Sequence, residues 1–556
     1  MVELPPQAES THLSDDILRE IFILNASDTA VPLHHRLKTT ISCLNVCRLW
    51  YPILMDHAQV WGRFLNIPRS PDYQKVRDSI RALLGRTKGA VLWIEVDFTP
   101  GPVARLSIPA ITRRAIENVE YALLDNTRRV ERLKMHVVEF DELTIIWRFL
   151  SGTLQTGTDT VERRWDLLKE LSILLQVGRS ESLLYGTFWD FHSRFECSAR
   201  PIQHAPSLHT FSCDNLAPKV WPTNIRELYI AEPHHDLSCI TLLETMRALA
   251  KMVSLERLSI SHKFKPDPLN ETALKGIHRF VLPRLQDAEF VGSMRDLVCL
   301  CGKICRVARR SVVVVDGLRE LWEAQADLCD AICLSTRDAS RTLEHDTLDC
   351  TFTPDTFALS AFCARSDHGT STSSVELSIK WPNPSVEFLP GRLKIWELLC
   401  EGMLGRYDHV RLSIPDKRML DSRLEAFRFV TFTTITSLEV NKSTLFWWLV
   451  GTSMWDGGRL SSLGEVFSPR FNRIFRSLGT IHLRLSASWE MSRDEDRAVF
   501  GALRETLQER RKHTCQPRQV DEIWVYVDGE QNEGLWELYK AMEGVEGVVI
   551  KQCEKI

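Results

Sequence analysis

The chain has 556 residues, 44% of them apolar, enough for more than one unit with its own core. Sixty-nine lysines and arginines against 73 aspartates and glutamates leave a formal charge of −4, which gives no general attraction to nucleic acid or to an anionic membrane. No secretory signal is readable in Met1-Val2-Glu3-Leu4-Pro5, no apolar run reaches ~18 residues, and the 15 cysteines are expected as reduced thiols in the cytoplasm or nucleus.

The first periodic segment runs from Leu13 to Phe22. Its apolar residues at 13, 17, 18, 21 and 22 share one face of a helix. Ser14 is placed to cap that helix, and Asp15 and Asp16 sit at the positive end of its dipole. A second cluster, Ile41 to Trp50, has apolar residues at 43, 44, 46, 47 and 50 and suits another helix, which Pro52 is expected to kink or end. The stretch Asn25–Lys38 between them reads as a long polar connection. A third piece ends at Val60-Trp61. Three such short helices expose more apolar surface than they can bury among themselves, which implies a docking surface for another chain. An ordinary three-helix subdomain packed on its own protein is the alternative.

These residues resemble the F-box. Its Leu-Pro-x-Glu-(Ile/Leu)-Leu-x-x-Ile-Phe opening corresponds to Leu13-Ser14-Asp15-Asp16-Ile17-Leu18-Arg19-Glu20-Ile21-Phe22. Its Val-Cys-Arg-x-Trp centre corresponds to Val46-Cys47-Arg48-Leu49-Trp50, and its closing Leu-Trp to Val60-Trp61. Ser14 replaces the proline and Asp16 the glutamate. The resemblance implies docking on the Skp-family adaptor of a cullin–RING ubiquitin ligase. It assigns adaptor contact to Leu13, Ile17, Leu18, Ile21, Phe22, Leu44, Val46, Cys47, Trp50 and Trp61.

Pro68 to Asp72 reads as a loop, followed by a helix from about Gln74 to Leu84. Alternation at 92, 94, 96 and 98 then marks a strand. From there an apolar-x-x-apolar-x-apolar pattern recurs, best in Leu168–Ile173, Leu208–Cys213, Ile225–Ile230 and Leu255–Ile260, and more loosely through Val312–Val315, Leu348–Cys350, Val375–Ile379, Val410–Ile414, Ile435–Val440, Ile481–Leu485, Val520–Val525 and Val545–Ile550. Helical stretches fall between, among them Leu242–Met252, Arg392–Leu404 and Arg493–Lys512. In the last, Ser492 and Glu495 suit a capping box, and Val499, Leu503 and Leu507 form a buried stripe. Ser151–Thr160 and Ala364–Ser374 read as surface loops.

Strand-then-helix repetition of this kind resembles a degenerate leucine-rich repeat, although the Asn/Cys ladder of that consensus is mostly missing. An open α/β sheet with parallel strands shows the same alternation. The expected fold is therefore α/β, with a three-helix F-box over residues 1–66, a linker and helix over 67–90, and an irregular leucine-rich-repeat-like solenoid over 91–556. The combination is similar to F-box proteins of mushroom-forming fungi.

No phosphate-cradling glycine loop, nucleophile elbow or metalloprotease helix is present. The cysteine pairs Cys43/Cys47, Cys299/Cys301/Cys305 and Cys329/Cys333 lack converging histidines and read as small core residues. His34-His35 and His234-His235 read as surface-loop histidines. Arg306–Arg310 reads as a solvated basic helix end, and Leu445–Val450 as a buried aromatic helix or a partner pocket. No catalytic residue, metal or cofactor is expected. The resemblance implies a substrate-receptor subunit that captures an unknown protein on the outward strand positions, with Tyr229, Arg257, Arg411, Arg484, Trp524 and Tyr526 as the chosen contacts. A scaffold outside ubiquitylation, or an α/β hydrolase or transferase with an unrecognised site, are the other readings.

Overall fold

Apolar residues spaced three to four apart near the N-terminus, and at every second position after Val91, dictate helices first and strands afterwards. The computed structural model describes residues 13–99, 108–137, 164–175, 205–214, 221–231, 241–261, 264, 276–304, 310–315, 347–352, 356–362, 375–380, 409–413, 436–441, 478–486, 493–512, 520, 522–528, 540, 545 and 549–553. It is a mixed α/β protein dominated by parallel strand pairs. The chain divides into two compact units, Met1–Ile240 and Thr241–Ile556. No helix among the described residues is long and apolar enough to cross a membrane.

The first unit opens with four helices, α1 (Asp15–Ser27), α2 (Leu33–Leu44), α3 (Trp50–Met55) and α4 (Ala58–Trp61). Ser14 caps α1 as expected, its Oγ accepting the N–H of Ile17 at 3.4 Å. The helices enclose a core of Leu18, Phe22, Ala26, Ile53, Leu54, Val60, Trp61 and Phe64. Trp61 is fixed in it by its Nε1–H, which donates to the carbonyl of Leu54 at 2.7 Å.

Two details differ from the expectation. The polar stretch after Asn25 is largely helix α2, and Asn45–Leu49 is the turn that follows it. Its contact with α1 is polar: Asn25 Nδ2 donates to Thr40 Oγ1 at 2.9 Å, and the buried Arg36 donates to the carbonyl of Ala26. Pro52 lies in the first turn of α3, where the missing N–H breaks no intrahelical bond, so the proline starts a helix instead of ending one.

Six strands complete the described part of this unit: β1 (Leu65–Pro68), β2 (Leu92–Asp97), β3 (Val130–Val137), β4 (Glu170–Leu175), β5 (Thr210–Asp214) and β6 (Glu227–Ala231). Each pairs in parallel with the next in chain order. The segment expected as a linker thus borders a strand and carries the longer helix α5 (Tyr73–Thr87), capped by Asp72. Between β2 and β3 lies α6 (Ile108–Leu123), whose Ile116, Val119 and Leu123 are buried.

Gly62 joins helices to sheet. Its carbonyl accepts the N–H of Trp93 at 2.8 Å, and a Cβ on it would stand 2.2 Å from the carbonyl oxygen of Val91, so no other residue fits there without moving the strand.

The recurring apolar pattern has a precise backbone meaning. Its first apolar residue precedes the strand and closes a turn by donating its N–H three residues back: Leu168 to Trp165, Leu208 to Ala205, Leu255 to Met252 and Leu285 to Leu282. Both ends of each turn are buried. The carbonyls of Lys169, His209 and Glu256 then each accept two N–H groups from the following strand's entry, as does that of Thr436.

The second unit holds β7 (Arg257–Ser261), β8 (Asp287–Gly292), β9 (Arg310–Val315), β10 (Thr347–Phe352), β11 (Thr356–Phe362), β12 (Val375–Lys380), β13 (His409–Ser413), β14 (Ser437–Asn441), β15 (Thr480–Ser486), β16 (Glu522–Asp528) and β17 (Val549–Cys553). Its described helices are α7 (Leu242–Leu249), which has a complete Thr241–Glu244 capping box, α8 (Met294–Lys303) and α9 (Arg493–Lys512). Val499, Leu503 and Leu507 of α9 are buried as expected, whereas Ser492 lies outside the described residues.

Strand order does not follow the chain throughout. β9 pairs with β12, β12 with β11, β11 with β10, and β10 with β13, and β11 is antiparallel to both its neighbours. All other described pairs in this unit are parallel. The reversal and β11 itself were not expected. The expected helix at Arg392–Leu404 and the loops at Ser151–Thr160 and Ala364–Ser374 lie outside the described residues.

Candidate functional site

Helix α1 has two sides one residue apart. Leu18 is 1% and Phe22 2% exposed, packed into the core, whereas Ile17 and Ile21 are 49% and 44% exposed. Leu24, also exposed, continues the spacing of Ile17 and Ile21 on the outer side of the helix, and the exposed Leu13 stands just before the capping Ser14. Ile41 near the end of α2 adds to the exposed apolar set. So do Val46 (60% exposed) and Leu49 in the turn to α3, and Tyr51 within α3. Side chains of this size burying one another would gain roughly 1.5–3 kcal/mol each, so this exposed apolar set is the first candidate site.

The residues assigned to adaptor contact fall into three groups. Leu13, Ile17, Ile21, Val46 and Cys47 are exposed; Leu44 and Trp50 are half-buried against the core; Leu18, Phe22 and Trp61 belong to the core. Trp50 stands edge-on to Phe22 with ring centroids 5.4 Å apart, so it ties the turn to α1. Leu24, Ile41, Leu49 and Tyr51 were not assigned. Their signal was available, because Leu24 and Ile41 continue the helical spacing of their neighbours.

The second candidate is the outward face of the sheet in the second unit. The register places Arg257, Asp287, Arg310, Glu376, Ser360, Asp349, Arg411, Glu439, His482, Trp524 and Lys551 in one row across the strands. Charge alternates along most of it, and the register sets Ser360 of the reversed strand β11 between Glu376 and Asp349. Like charges placed directly opposite would be destabilising.

Arg411 is the centre of the row. Its Nε lies 2.7 Å from Glu439 Oε2, and its Nη1 3.4 Å from Asp349 Oδ2. Burial alone would lower the pKa of this guanidinium, but Glu439 and Asp349 outweigh it and raise it. His482 stands between the ring of His409, 5.4 Å away edge-on, and that of Trp524, stacked at 6.0 Å. Burial, then the neighbouring His409, hold His482 down to about 4, so it is neutral at physiological pH. At the β7 end of the row Arg257 and Asp287 pair at 3.5 Å but remain about half exposed, 56% and 49%.

Of the six residues chosen for substrate contact, Arg257, Arg411 and Trp524 therefore share a row. Arg484 and Tyr526 face each other two residues further along their strands; their side chains lie outside the described residues. Tyr229 belongs to the first unit, half-buried in β6 opposite Ser212. Asp287, Asp349 and Glu439, which complete the ion pairs, were missed. Asp287 and Asp349 show as alternate positions in their strands, but nothing in one sequence gives the register that aligns them.

One arrangement beside this row resembles catalytic machinery. His409 Nδ1 is 2.7 Å from Ser437 Oγ, and its Nε2 is 3.8 Å from Glu439 Oε2. A nucleophilic serine needs its histidine oriented by a hydrogen-bonded carboxylate. Here Glu439 pairs with Arg411 at 2.7 Å and stands 3.8 Å from the imidazole, beyond hydrogen-bond reach, so the geometry lacks the oriented histidine of a triad.

No group of three or more metal-ligating side chains occurs among the described residues. Cys301 is buried, its thiol pushed up to about 12, and Cys43 is raised by burial too, consistent with packing roles. His34 and His35 lie in the first turn of α2, not in a loop, with rings 4.1 Å apart. His234-His235, Arg306–Arg309 and Leu445–Val450 lie outside the described residues. No protein-family model matches the chain, and no curated protein matches it.

Proposed function

We propose that this chain is a substrate-receptor subunit of a Skp–cullin–F-box ubiquitin ligase. The four N-terminal helices form an F-box-like module that docks a Skp-family adaptor, and the strand-rich remainder is a degenerate leucine-rich-repeat-like array that holds a protein to be ubiquitylated. The observation that carries this reading is the division of α1 into a packed side and an exposed apolar stripe, Ile17, Ile21 and Leu24, with Leu13 just before its cap. It falls on the residues that resemble the F-box opening. The turn repeated before β4, β5, β7 and β8 supports the array, since both apolar ends of each copy are buried.

In this role the protein does no chemistry of its own. It holds a substrate near a ubiquitin-loaded enzyme and raises the effective concentration of the reacting groups. The test is co-expression of the full chain with a Skp-family adaptor and cullin, comparing wild type with Ile17→Asp/Ile21→Asp. Retention of adaptor and cullin by the wild type and their loss from the variant, at unchanged unfolding temperature, is the expected result. Adaptor binding without cullin recruitment would point to a scaffold outside ubiquitylation. Failure of the wild type to bind any Skp-family adaptor would remove the proposal.

A further inference from the structure

The first unit contains a cleft of ≈ 80 Å³ that neither the α1 stripe nor the charge row uses. The loop entering α2 forms one wall, and the outward positions of β2 and β3 form the other. Arg36, Arg63, Arg132 and Lys134 line it together with Trp93, and Glu95 is the sole carboxylate among the lining residues.

Three of these cations are held in place by neighbouring groups. Arg36 donates from Nε to the carbonyl of Val31 at 3.0 Å and from Nη1 to that of Ala26. Arg63 donates from Nη1 to the carbonyl of Ile23 at 3.0 Å and to Ser27 Oγ. Arg63 and Arg132 both lie over the ring of Trp93, 4.9 Å and 5.3 Å from its centroid. Arg132 is matched by Glu170 at 2.7 Å and the nearby Glu131 by Lys169 at 2.5 Å, while Lys134 has no ion-pair partner among the described residues. The Nε groups of Arg63 and Arg132 are buried, with no hydrogen-bond partner among the described residues.

Gathering like charges in a half-desolvated cleft is unfavourable. Burial, then the proximity of Arg132, pushes the pKa of Arg36 down, and burial does the same to Arg63. Glu95 and the exposed Asp28 offset only part of this at Arg36, as Glu131 and Glu20 do at Arg63. An anion seated among the guanidiniums would neutralise the excess and accept unused N–H donors. A phosphate, with up to two charges and three acceptor oxygens, suits fixed planar forks better than a singly charged carboxylate does.

We propose that this cleft binds the phosphate group of a small soluble ligand. The inference is independent of the ubiquitin-ligase reading, because none of these residues belongs to the α1 stripe. It is tested on the full chain by calorimetric titration with inorganic phosphate and pyrophosphate at low salt, with acetate as the carboxylate control. Lys134→Glu and the milder Lys134→Met are compared with wild type, and far-UV circular dichroism checks folding.

One site that takes phosphate or pyrophosphate but not acetate is expected, weakened about tenfold or more by Lys134→Glu and less by Lys134→Met. Absence of binding in the wild type, or unchanged affinity in a folded Lys134→Glu protein, would overturn the proposal. Acetate binding as tightly as phosphate would overturn its specificity. Should Lys134→Glu misfold, Lys134→Met decides alone, and equal affinity there refutes the site.

Discussion

Adjacent residues of α1 should separate folding from docking. Leu18 is 1% exposed and packed among Phe22, Leu54, Trp61 and their neighbours, so Leu18→Ala leaves a cavity costing about 3 kcal/mol or more. That loss should move the urea midpoint of the full chain clearly downward. Ile17 and Ile21 each keep close to half of their surface in water, so truncating either should lower the midpoint much less than Leu18→Ala does. Alanine also favours the helix slightly over isoleucine. A partner covering the exposed half of each side chain gains about half of the 1.5–3 kcal/mol of full burial, so Ile17→Ala/Ile21→Ala should lose roughly 2 kcal/mol, or about 30-fold in affinity. Intrinsic fluorescence under urea and adaptor titration on an immobilised chain measure the two effects. A double variant that unfolds as early as Leu18→Ala, or binds adaptor as tightly as wild type, would refute the division of the helix into core and contact sides.

Gly62→Ala should lower the urea midpoint by an amount equivalent to about 1–3 kcal/mol, because its Cβ would meet the Val91 carbonyl at 2.2 Å; an unchanged midpoint would show that the strand yields freely. Arg411→Met should destabilise the second unit by about 3 kcal/mol or more through the buried carboxylate of Glu439, and adding Glu439→Leu should restore much of the loss in a thermal unfolding cycle. His482 should titrate near 4 by NMR, compared with about 6.5 in the unfolded chain. Because the unfolded state then binds the extra proton first, this group has no effect above about pH 6.5 and reduces stability as pH falls from there toward 4. His482→Asn should flatten that part of the stability profile, and a His482 resonance titrating near 6.5 would contradict its burial.

The sequence made most strands legible because one face of each is apolar at alternate positions, a signal that survives in segments as short as Leu348–Cys350. Helix α2 was hidden by chemistry. Its fully buried residues are Arg36 and Thr40, held by hydrogen bonds to Asn25 and the end of α1, and hydrophobic periodicity does not see a polar interface. β1 is only Leu65-Asn66-Ile67-Pro68, too brief to show alternation before the proline. β11 escaped for another reason. Thr356-Phe357-Ala358-Leu359-Ser360-Ala361-Phe362 alternates adequately but lacks the turn motif that announces its neighbours, and strand order depends on long-range pairing. In the candidate site, periodicity identified α1 as amphipathic. It did not divide the apolar arc into Leu18 and Phe22 inside and Ile17 and Ile21 outside, because that depends on where α3 and α4 pack.

Burial alone does not fix the register of the sheet in the second unit. A slip of one residue turns each apolar set outward, but a slip of two restores it, and Leu, Ile and Val accept one another's places. The outward row discriminates where the inward one cannot. Sliding β13 by two along β14 sets Arg411 opposite Ser437 or Asn441 and leaves Glu439, 4% exposed, without its guanidinium. A carboxylate stranded in that way costs several kcal/mol. The same pairing constrains capture on this face. A partner seeking Arg411 must displace Glu439 and Asp349, whereas Arg257 and Asp287 are about half exposed, and an ion pair so exposed is worth little in water. On the receptor reading, the centre of the row therefore holds the sheet in register, and protein contact falls to its β7–β8 end.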